Sequence, residues 1–293
     1  MYFSVFIPLF NREKTVGRTL EYLVLQDFKD FEVIVVDDGS TDNSAAIVNK
    51  FSDRLNIRYF YKANGGKHTA LNKGIEMAEG TFFIICDSDD WLIPSALTEI
   101  YIECKKIKDN DEFSGVMFRT VNSENNQMIG DDFPESPFVS SYIDFHYVSG
   151  VKRRYLECCE ANKTAILKKY RFPEPENTKF VPEAYVFDQV GLKYKLLCIN
   201  RAVEFKEYLT DGMTMNEKHY ENNAVGYLYN YVSKIDDIFP NTKVSLKAEI
   251  IVWWKYWQLQ KKCPYSNKPK VKRITFLGAV MNVMTPLINL IKK

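Results

Sequence analysis

Thr81-Phe82-Phe83-Ile84-Ile85-Cys86-Asp87-Ser88-Asp89-Asp90 joins six uncharged, mostly apolar residues to three carboxylates within four positions. A run this short and this apolar reads as a strand buried on both faces. Such strands belong to mainly parallel sheets with helices on either side. The acidic cluster that follows must then sit at the edge of the core. Carboxylates this close repel one another unless a cation or hydrogen-bond donors compensate. A hard divalent ion, Mg²⁺ or Mn²⁺, held through oxygen ligands and substrate phosphates, is the natural partner. The competing reading is a solvated acidic turn, which the apolar strand disfavours.

Upstream, the chain repeats the same plan. Residues 3–7 form an apolar run closed by Pro8. Residues 31–36 form another, ending in Asp37-Asp38-Gly39-Ser40, and residues 57–61 a third, followed by Asn64-Gly65-Gly66. Between them, residues 14–26 place Val16, Leu20, Leu23 and Val24 at helical spacing. Ser40, Thr41 and Asp42 are candidate N-caps for a helix over 43–51. Residues 67–78 also look helical, and Pro94 opens a helix reaching about Ile107. This alternation predicts an α/β fold, a Rossmann-like, mostly parallel sheet flanked by helices. Ligands in such sheets sit beyond the carboxyl ends of the strands, and both acidic clusters fall there.

Each cluster has a functional and a structural reading. In Asp37-Asp38-Gly39-Ser40, one carboxylate accepts a hydrogen bond from a nucleobase, or the four residues form a capped polar turn. In Asn64-Gly65-Gly66-Lys67-His68, the glycines permit close backbone approach and a helix N-terminus attracts anions, with Lys67 toward a phosphate. The alternative is a plain turn before a helix. With no second histidine nearby, His68 reads as a packing or capping residue.

The second half is less regular. A strand is expected over 112–121, a loop over 122–137, a helix over 183–194, short strands over 196–199 and 203–208, and helices from Tyr220 onward. Trp253, Trp254, Tyr256 and Trp257 suit a packed helix or a membrane-interface belt. Residues 274–291 are almost wholly apolar, preceded by Lys268, Lys270, Lys272 and Arg273 and followed by Lys292 and Lys293. Thr275, Asn282, Thr285 and Asn289 share one narrow helical face, and Pro286 would kink a spanning helix. An interfacial helix on anionic lipid is therefore expected over a span, with packing on the catalytic domain as the alternative.

The formal net charge of +1 over 293 residues excludes a nucleic-acid binder that works by blanket phosphate neutralisation. The six cysteines show no CxxC pairing, and Cys158 and Cys159 are adjacent. They read as reduced thiols in a cytoplasmic setting. The N-terminus lacks the basic and long apolar regions of a signal peptide.

Taken in series, four stretches resemble glycosyltransferase family 2, with the GT-A fold. They are Ser4-Val5-Phe6-Ile7-Pro8-Leu9-Phe10-Asn11, Val35-Val36-Asp37-Asp38-Gly39-Ser40-Thr41-Asp42, Asn64-Gly65-Gly66 with Ala70, Asn72 and Gly74, and Asp87-Ser88-Asp89-Asp90. The resemblance covers residues 1 to about 94 and continues more weakly to about Thr214. It implies a catalytic domain over 1–215, with a nucleotide-binding half (1–110) and an acceptor half (111–215). A helical extension over 216–293 follows, peripheral on the inner face of the cell membrane.

The resemblance further implies an inverting transfer of sugar from a nucleoside-diphosphate sugar, with UDP favoured. The acceptor would be a hydroxyl of a glycan or lipid-linked molecule in surface polysaccharide synthesis. Asp38 would face the base with Asp37 beside it, and Pro8 and Asn11 would line the nucleotide pocket. Asp87 would sit near the ribose with Ser88 in the same donor contact, and Asp89 would hold the metal. Phe10 stands where a tyrosine is common, so no role passes to it. Phe180-Val181-Pro182-Glu183-Ala184 fits the slot of the general base, giving Glu183 that role and Asp188 second place. The usual Glu-Asp pair is absent, and Glu183 also reads as a first-turn carboxylate favoured by the helix dipole. A nucleotidyltransferase would carry a Gly-rich basic run where Phe10-Asn11-Arg12-Glu13 stands, and a dinucleotide-binding dehydrogenase would need GxGxxG there. A non-catalytic sugar-nucleotide-binding protein would keep Asp38 and Asp89.

Overall fold

The computed structural model describes residues 1–148, 157–176, 178–209 and 219–291. Its first four strands are β1 (Phe3–Leu9), β2 (Phe31–Asp37), β3 (Ile57–Tyr61) and β4 (Phe82–Ile85), all parallel in the order β3-β2-β1-β4. The helices between them are α1 (Val16–Val24), α2 (Ser44–Asn49) and α3 (Lys67–Met77). Parallel strands need a crossover, and the helical segments supply it. In α2 the N-cap position is Asn43 rather than one of the three upstream candidates, although Asp42 Oδ1 accepts from the Ser44 N–H at 3.0 Å.

Alternation along β1 divides the core into two layers. Phe3, Val5, Ile7 and Leu9 face one side, with Leu20 and Leu23 of α1 and Leu97 and Ile100 of α4 (Ala96–Ile107). Phe6 faces the other, with Leu71 and Ile75 of α3. Each such side chain, removed from water, contributes about 1.5–3 kcal/mol.

Beyond β4 the sheet changes direction. Two short strands, β5 (Trp91–Leu92) and β7 (Phe138–Ser140), are joined by β6 (Phe113–Asn122), β8 (Cys158–Lys163) and β9 (Lys195–Lys206). β8 enters antiparallel between β4 and β6, and β9 then pairs with β6 in parallel. The sequence did not announce β8. Cys158-Cys159-Glu160-Ala161-Asn162-Lys163 has no β-branched residue and no clean alternation, so pairing on both sides makes it a strand, overriding local preference. The two short strands expected over 196–199 and 203–208 are halves of β9. Its register slips between Ile199 and Ala202, and the N-terminal half pairs with β7 while the C-terminal half pairs with β5. The expected loop over 122–137 is pinned by the buried Arg119, which donates to the carbonyls of Ile129 and Gly130 and pairs with Asp132.

After α5 (Thr164–Leu167) and α6 (Ala184–Gly191), the α-helices among the described residues are α7 (His219–Asn222), α8 (Ala224–Ser233), α9 (Leu246–Lys262) and α10 (Phe276–Ile291). The expected boundary at 215/216 and the weak end of the resemblance at Thr214 lie outside the described residues, as do Lys292 and Lys293. Trp253 and Tyr256 of α9 are buried in a separate apolar cluster with α8 and Met281 of α10, so the aromatic segment is a packed helix. Gly278 lets α10 approach the Trp253 ring, since a Cβ there would lie 2.7 Å from it. Pro286 deprives the Asn282 carbonyl of its helical donor, and Lys261 Nζ supplies one at 2.8 Å. No described helix is long and apolar enough to cross a membrane.

Candidate active site

The carboxyl ends of β1, β2 and β4 open onto a cavity of about 690 Å³. Pro8, Asp38, Lys67, Asp87, Ser88, Asp89 and Glu183 all line it. Residues from three strand ends, one helix start and one distant segment thus converge in one crevice.

Asp38 is buried where the β2 chain turns away. Its Oδ1 accepts from Lys62 Nζ at 2.5 Å and from the Gly65 N–H at 2.8 Å, and its Oδ2 accepts from the Gly66 N–H at 2.6 Å. The glycine turn expected to cradle a phosphate therefore holds the protein's own carboxylate. Three of the roughly four lone-pair directions of that carboxylate are used, leaving one toward the cavity. Gly66 has φ +96°, and a Cβ there would meet the Lys179 carbonyl oxygen at 1.9 Å. Only glycine fits.

Asn11 and Asp37 are not among the cavity-lining residues. Asn11 Oδ1 accepts from the Thr41 N–H at 2.8 Å, and its own N–H donates to Ser40 Oγ at 2.9 Å. Asp37 is buried, accepting from the Ser40 N–H and the Tyr59 hydroxyl. Both side chains lock the loops that present Pro8 and Asp38. Asp188 is likewise turned away, accepting from the Tyr147 hydroxyl at 2.6 Å.

Glu183, by contrast, lies just before α6 and faces the cavity. Lys67 Nζ bridges it to the acidic cluster, 2.8 Å from Glu183 Oε1 and 2.7 Å from Asp87 Oδ1. Burial works against the ammonium, but the two carboxylates hold its pKa above the usual lysine value. At Asp87 burial pushes upward and is outweighed by Lys67 and Lys206, leaving the carboxyl below its ordinary value. Asp89 differs: burial and then the Asp87 charge raise it, with the Arg12 guanidinium 3.8 Å away only partly offsetting them.

Asp89 is thus the carboxylate of the cluster whose cation, Arg12 at 3.8 Å, does not offset its burial. A divalent cation fits there. Among the described residues no group of three or more His, Cys, Asp or Glu side chains surrounds a metal position. An Mg²⁺- or Mn²⁺-type ion there would need substrate phosphates to complete its ligands.

The sequence reading missed several lining residues. Lys206, at the end of β9, pairs with Asp90 at 2.6 Å and lies 3.9 Å from Asp87. Glu207 pairs with Arg18, which also donates to the Asp89 carbonyl and stacks on Trp91. Glu160 of β8 also opens into the cavity. One signal was present: Glu204 and Lys206 put two charges on the same face of a strand segment whose neighbours Ala202, Val203 and Phe205 are apolar.

Comparison with known proteins agrees with this geometry. The model of the family described as "Glycosyl transferase family 2" matches residues 4–171. The glycosyltransferase GlyG of Streptococcus pneumoniae is 34% identical over 135 residues, covering 44% of each chain. The poly(ribitol-phosphate) beta-N-acetylglucosaminyltransferase TarS of Staphylococcus aureus is 39% identical over 103 residues, 34% of this chain and 18% of TarS. The chain spans less than half the length of these curated relatives. Among solved structures, TarS 1-349 in complex with UDP-GlcNAc aligns over 97% of this chain and 79% of its own, with 20% identity and a TM-score of 0.62. The mannosyltransferase PcManGT of Pyrobaculum calidifontis in complex with GDP-Man and Mn²⁺ aligns over 98% and 80%, with 15% identity and a TM-score of 0.58. These likenesses establish the GT-A fold of the sheet and its flanking helices. With more than half of its residues inside the family model and its strand-end carboxylates gathered in one cavity, the chain belongs to glycosyl transferase family 2.

Proposed function

We propose that the protein transfers a sugar from a nucleoside-diphosphate sugar, a UDP-sugar in the first instance, to a hydroxyl of a glycan or lipid-linked acceptor, with inversion at the anomeric carbon. The observation that carries this is the convergence of Asp38, Asp87, Asp89 and Glu183 on one cavity. Pro8 and Asp38 would hold the nucleoside, with Asn11 and Asp37 bracing the loops that carry them. Asp87 and Ser88 would contact the ribose and diphosphate. Asp89 would hold an Mg²⁺ or Mn²⁺ ion, which when bound stabilises the charge gathering on the leaving diphosphate. UDP is favoured because TarS, a relative, is seen with UDP-GlcNAc; PcManGT, with GDP-Man and Mn²⁺, keeps a guanine nucleotide in the test.

Glu183 removes the proton of the acceptor hydroxyl. That oxygen bonds to the anomeric carbon as the bond to the diphosphate oxygen breaks, and the nucleoside diphosphate leaves. A positioned base of this kind supplies about 10²–10⁴ in rate. Lys67, already between Asp87 and Glu183, adds positive charge where the leaving group becomes anionic. No covalent sugar–enzyme intermediate is required.

In this reading the C-terminal helix would hold the enzyme against a lipid surface. α10 turns its polar residues inward: Asn289 Oδ1 accepts from Trp254 Nε1 at 3.1 Å, and Thr285 is buried. Met281 packs inward, but a second apolar stripe faces out, with Phe276 87% and Val283 73% exposed alongside Leu287. The exposed Lys270, Lys272 and Arg273 just before it complement anionic headgroups.

Thermal shift and donor hydrolysis with UDP-, GDP- and dTDP-sugars, with and without Mn²⁺, test the chemistry. A UDP-sugar that stabilises the protein only with the ion, and is then turned over, is the expected result. Binding without turnover of any donor, with any acceptor glycan, would reduce the protein to a sugar-nucleotide binder.

A further inference from the structure

β8 enters the sheet beside β4, whose end carries Asp87 and Asp89. Its side chains alternate. Cys159 and Ala161 point into the core layer beneath α1 and α4, while Cys158 and Glu160 face the cavity. Glu160 is half-buried there. Among the described residues, none but its own backbone N–H donates a hydrogen bond to its carboxyl.

A carboxyl in this position costs stability unless something uses it. Every other acidic side chain singled out at the cavity floor has a cation at hand: Asp38 has Lys62, Asp87 has Lys67, and Asp90 has Lys206. Glu160 has none within ion-pair distance among the described residues. Burial, and then the neighbouring Glu183 charge, push its pKa up to about 8, with Lys206 and Lys67 opposing. That upward shift favours the protonated carboxyl, which donates one hydrogen bond and accepts others.

The groups that act on Glu160 are the base candidate Glu183 and the two lysines that contact Asp87. The anomeric carbon of the donor must lie between the diphosphate at Asp87 and Asp89 and the acceptor oxygen at Glu183. The ring of the transferred sugar would then lie in the cavity that Glu160 lines together with Asp87, Asp89 and Glu183.

We propose that Glu160 contacts the donor sugar itself, hydrogen-bonding a ring hydroxyl and so selecting among donors that share a nucleotide but differ in that hydroxyl. This rests on the donor reading given under Proposed function. The chemistry recognised is a pyranose hydroxyl, one group that both donates and accepts, opposite a carboxyl that does the same. A site built to hydrogen-bond a substrate hydroxyl discriminates strongly, because a mismatched donor leaves its buried polar group unpaired.

Two variants test it. E160M keeps the length of the side chain and removes both donor and acceptor; E160Q restores both. Each is compared with the unaltered protein by calorimetric titration with UDP plus Mn²⁺. Each is then assayed for kcat/KM with the epimeric pairs UDP-glucose and UDP-galactose, and UDP-N-acetylglucosamine and UDP-N-acetylgalactosamine. The expected result is unchanged UDP affinity in both variants. E160M should lose about tenfold or more of the preference within a pair, and E160Q should recover most of that loss. E160M keeping both kcat/KM and epimer preference within about threefold would overturn the proposal, and so would loss of folding or of UDP affinity in both variants, which would make Glu160 structural. If the unaltered protein neither binds UDP nor turns over any donor, the donor reading fails first and this inference falls with it.

Discussion

Lys67 Nζ stands 2.8 Å from Glu183 Oε1 and 2.7 Å from Asp87 Oδ1. One ammonium thereby joins the acidic end of β4 to a carboxylate about a hundred residues later in the chain. Any anion that enters beside Asp87 competes with Glu183 for the same lysine, so the two sides of the cavity are linked through one side chain. That linkage separates the roles of the residues around it.

Glu183→Gln keeps the shape of the side chain and an oxygen for Lys67 but removes the base. Transfer should fall by about 10²–10⁴ in kcat, while donor affinity, read by calorimetry, stays within about twofold. Full transfer in the variant would take the base role away from Glu183.

Asp89→Asn removes the charge that would hold the ion, and Asn is a poorer ligand for a hard cation. Donor affinity with Mn²⁺ should drop to the level the unaltered protein shows after chelation with EDTA. An ion-dependent affinity that survives in the variant would place the cation elsewhere.

Gly66→Ala forces a Cβ to within 1.9 Å of the Lys179 carbonyl oxygen at φ +96°. The turn must shift, taking with it two N–H donors of Asp38. A stability loss of about 2–4 kcal/mol in urea is expected, together with weaker nucleotide binding. A variant as stable as the parent would mean the turn relaxes freely.

His68 is buried with no hydrogen bond at either ring nitrogen, and burial lowers its pKa to about 4. In the unfolded chain the ring takes its proton near 6.5, so between those values the unfolded state binds more protons. Stability should therefore fall as pH drops from about 6.5 toward 4. His68→Leu should flatten that slope, sparing about 2–3 kcal/mol at its foot. Glu160, held up to about 8, acts in the opposite sense, losing stability as pH rises from its ordinary value through 8. Because the two oppose each other below about pH 6.5, urea midpoints across pH 4–8 compared between the parent, His68→Leu and E160Q separate them.

Phe276→Ser with Val283→Ser removes two outward residues of α10 that touch little of the protein. Flotation with vesicles containing about 30% anionic lipid should show the unaltered protein bound and the double variant released, with donor hydrolysis unchanged. Equal partitioning of both would remove the lipid-surface reading of α10.

What the residues determined alone was local. Short runs of four to seven residues, closed by Pro8, Asp37, the Asn64-Gly65-Gly66 turn or Asp87, made the first four strands legible, because backbone geometry sets the side-chain period within a few residues. The same locality put the acidic clusters at strand ends. β8 was illegible for the converse reason. Its strand state comes from hydrogen bonds to β4 and β6, partners about eighty and forty residues away in the chain, and its composition carries no trace of them.

The cavity itself is tertiary. Glu160, Lys206 and Glu183 share it with Asp87 only because sheet order, not chain order, sets which side chains meet. The outward apolar face of α10 is decided the same way. Its sequence shows two unlike faces, but the Trp254 and Trp257 ring nitrogens of α9 demand acceptors, and Asn289 and the Gly278 carbonyl supply them. A buried indole N–H left unpaired costs about 1–3 kcal/mol; that cost, borne by a neighbouring helix, turns the polar face in.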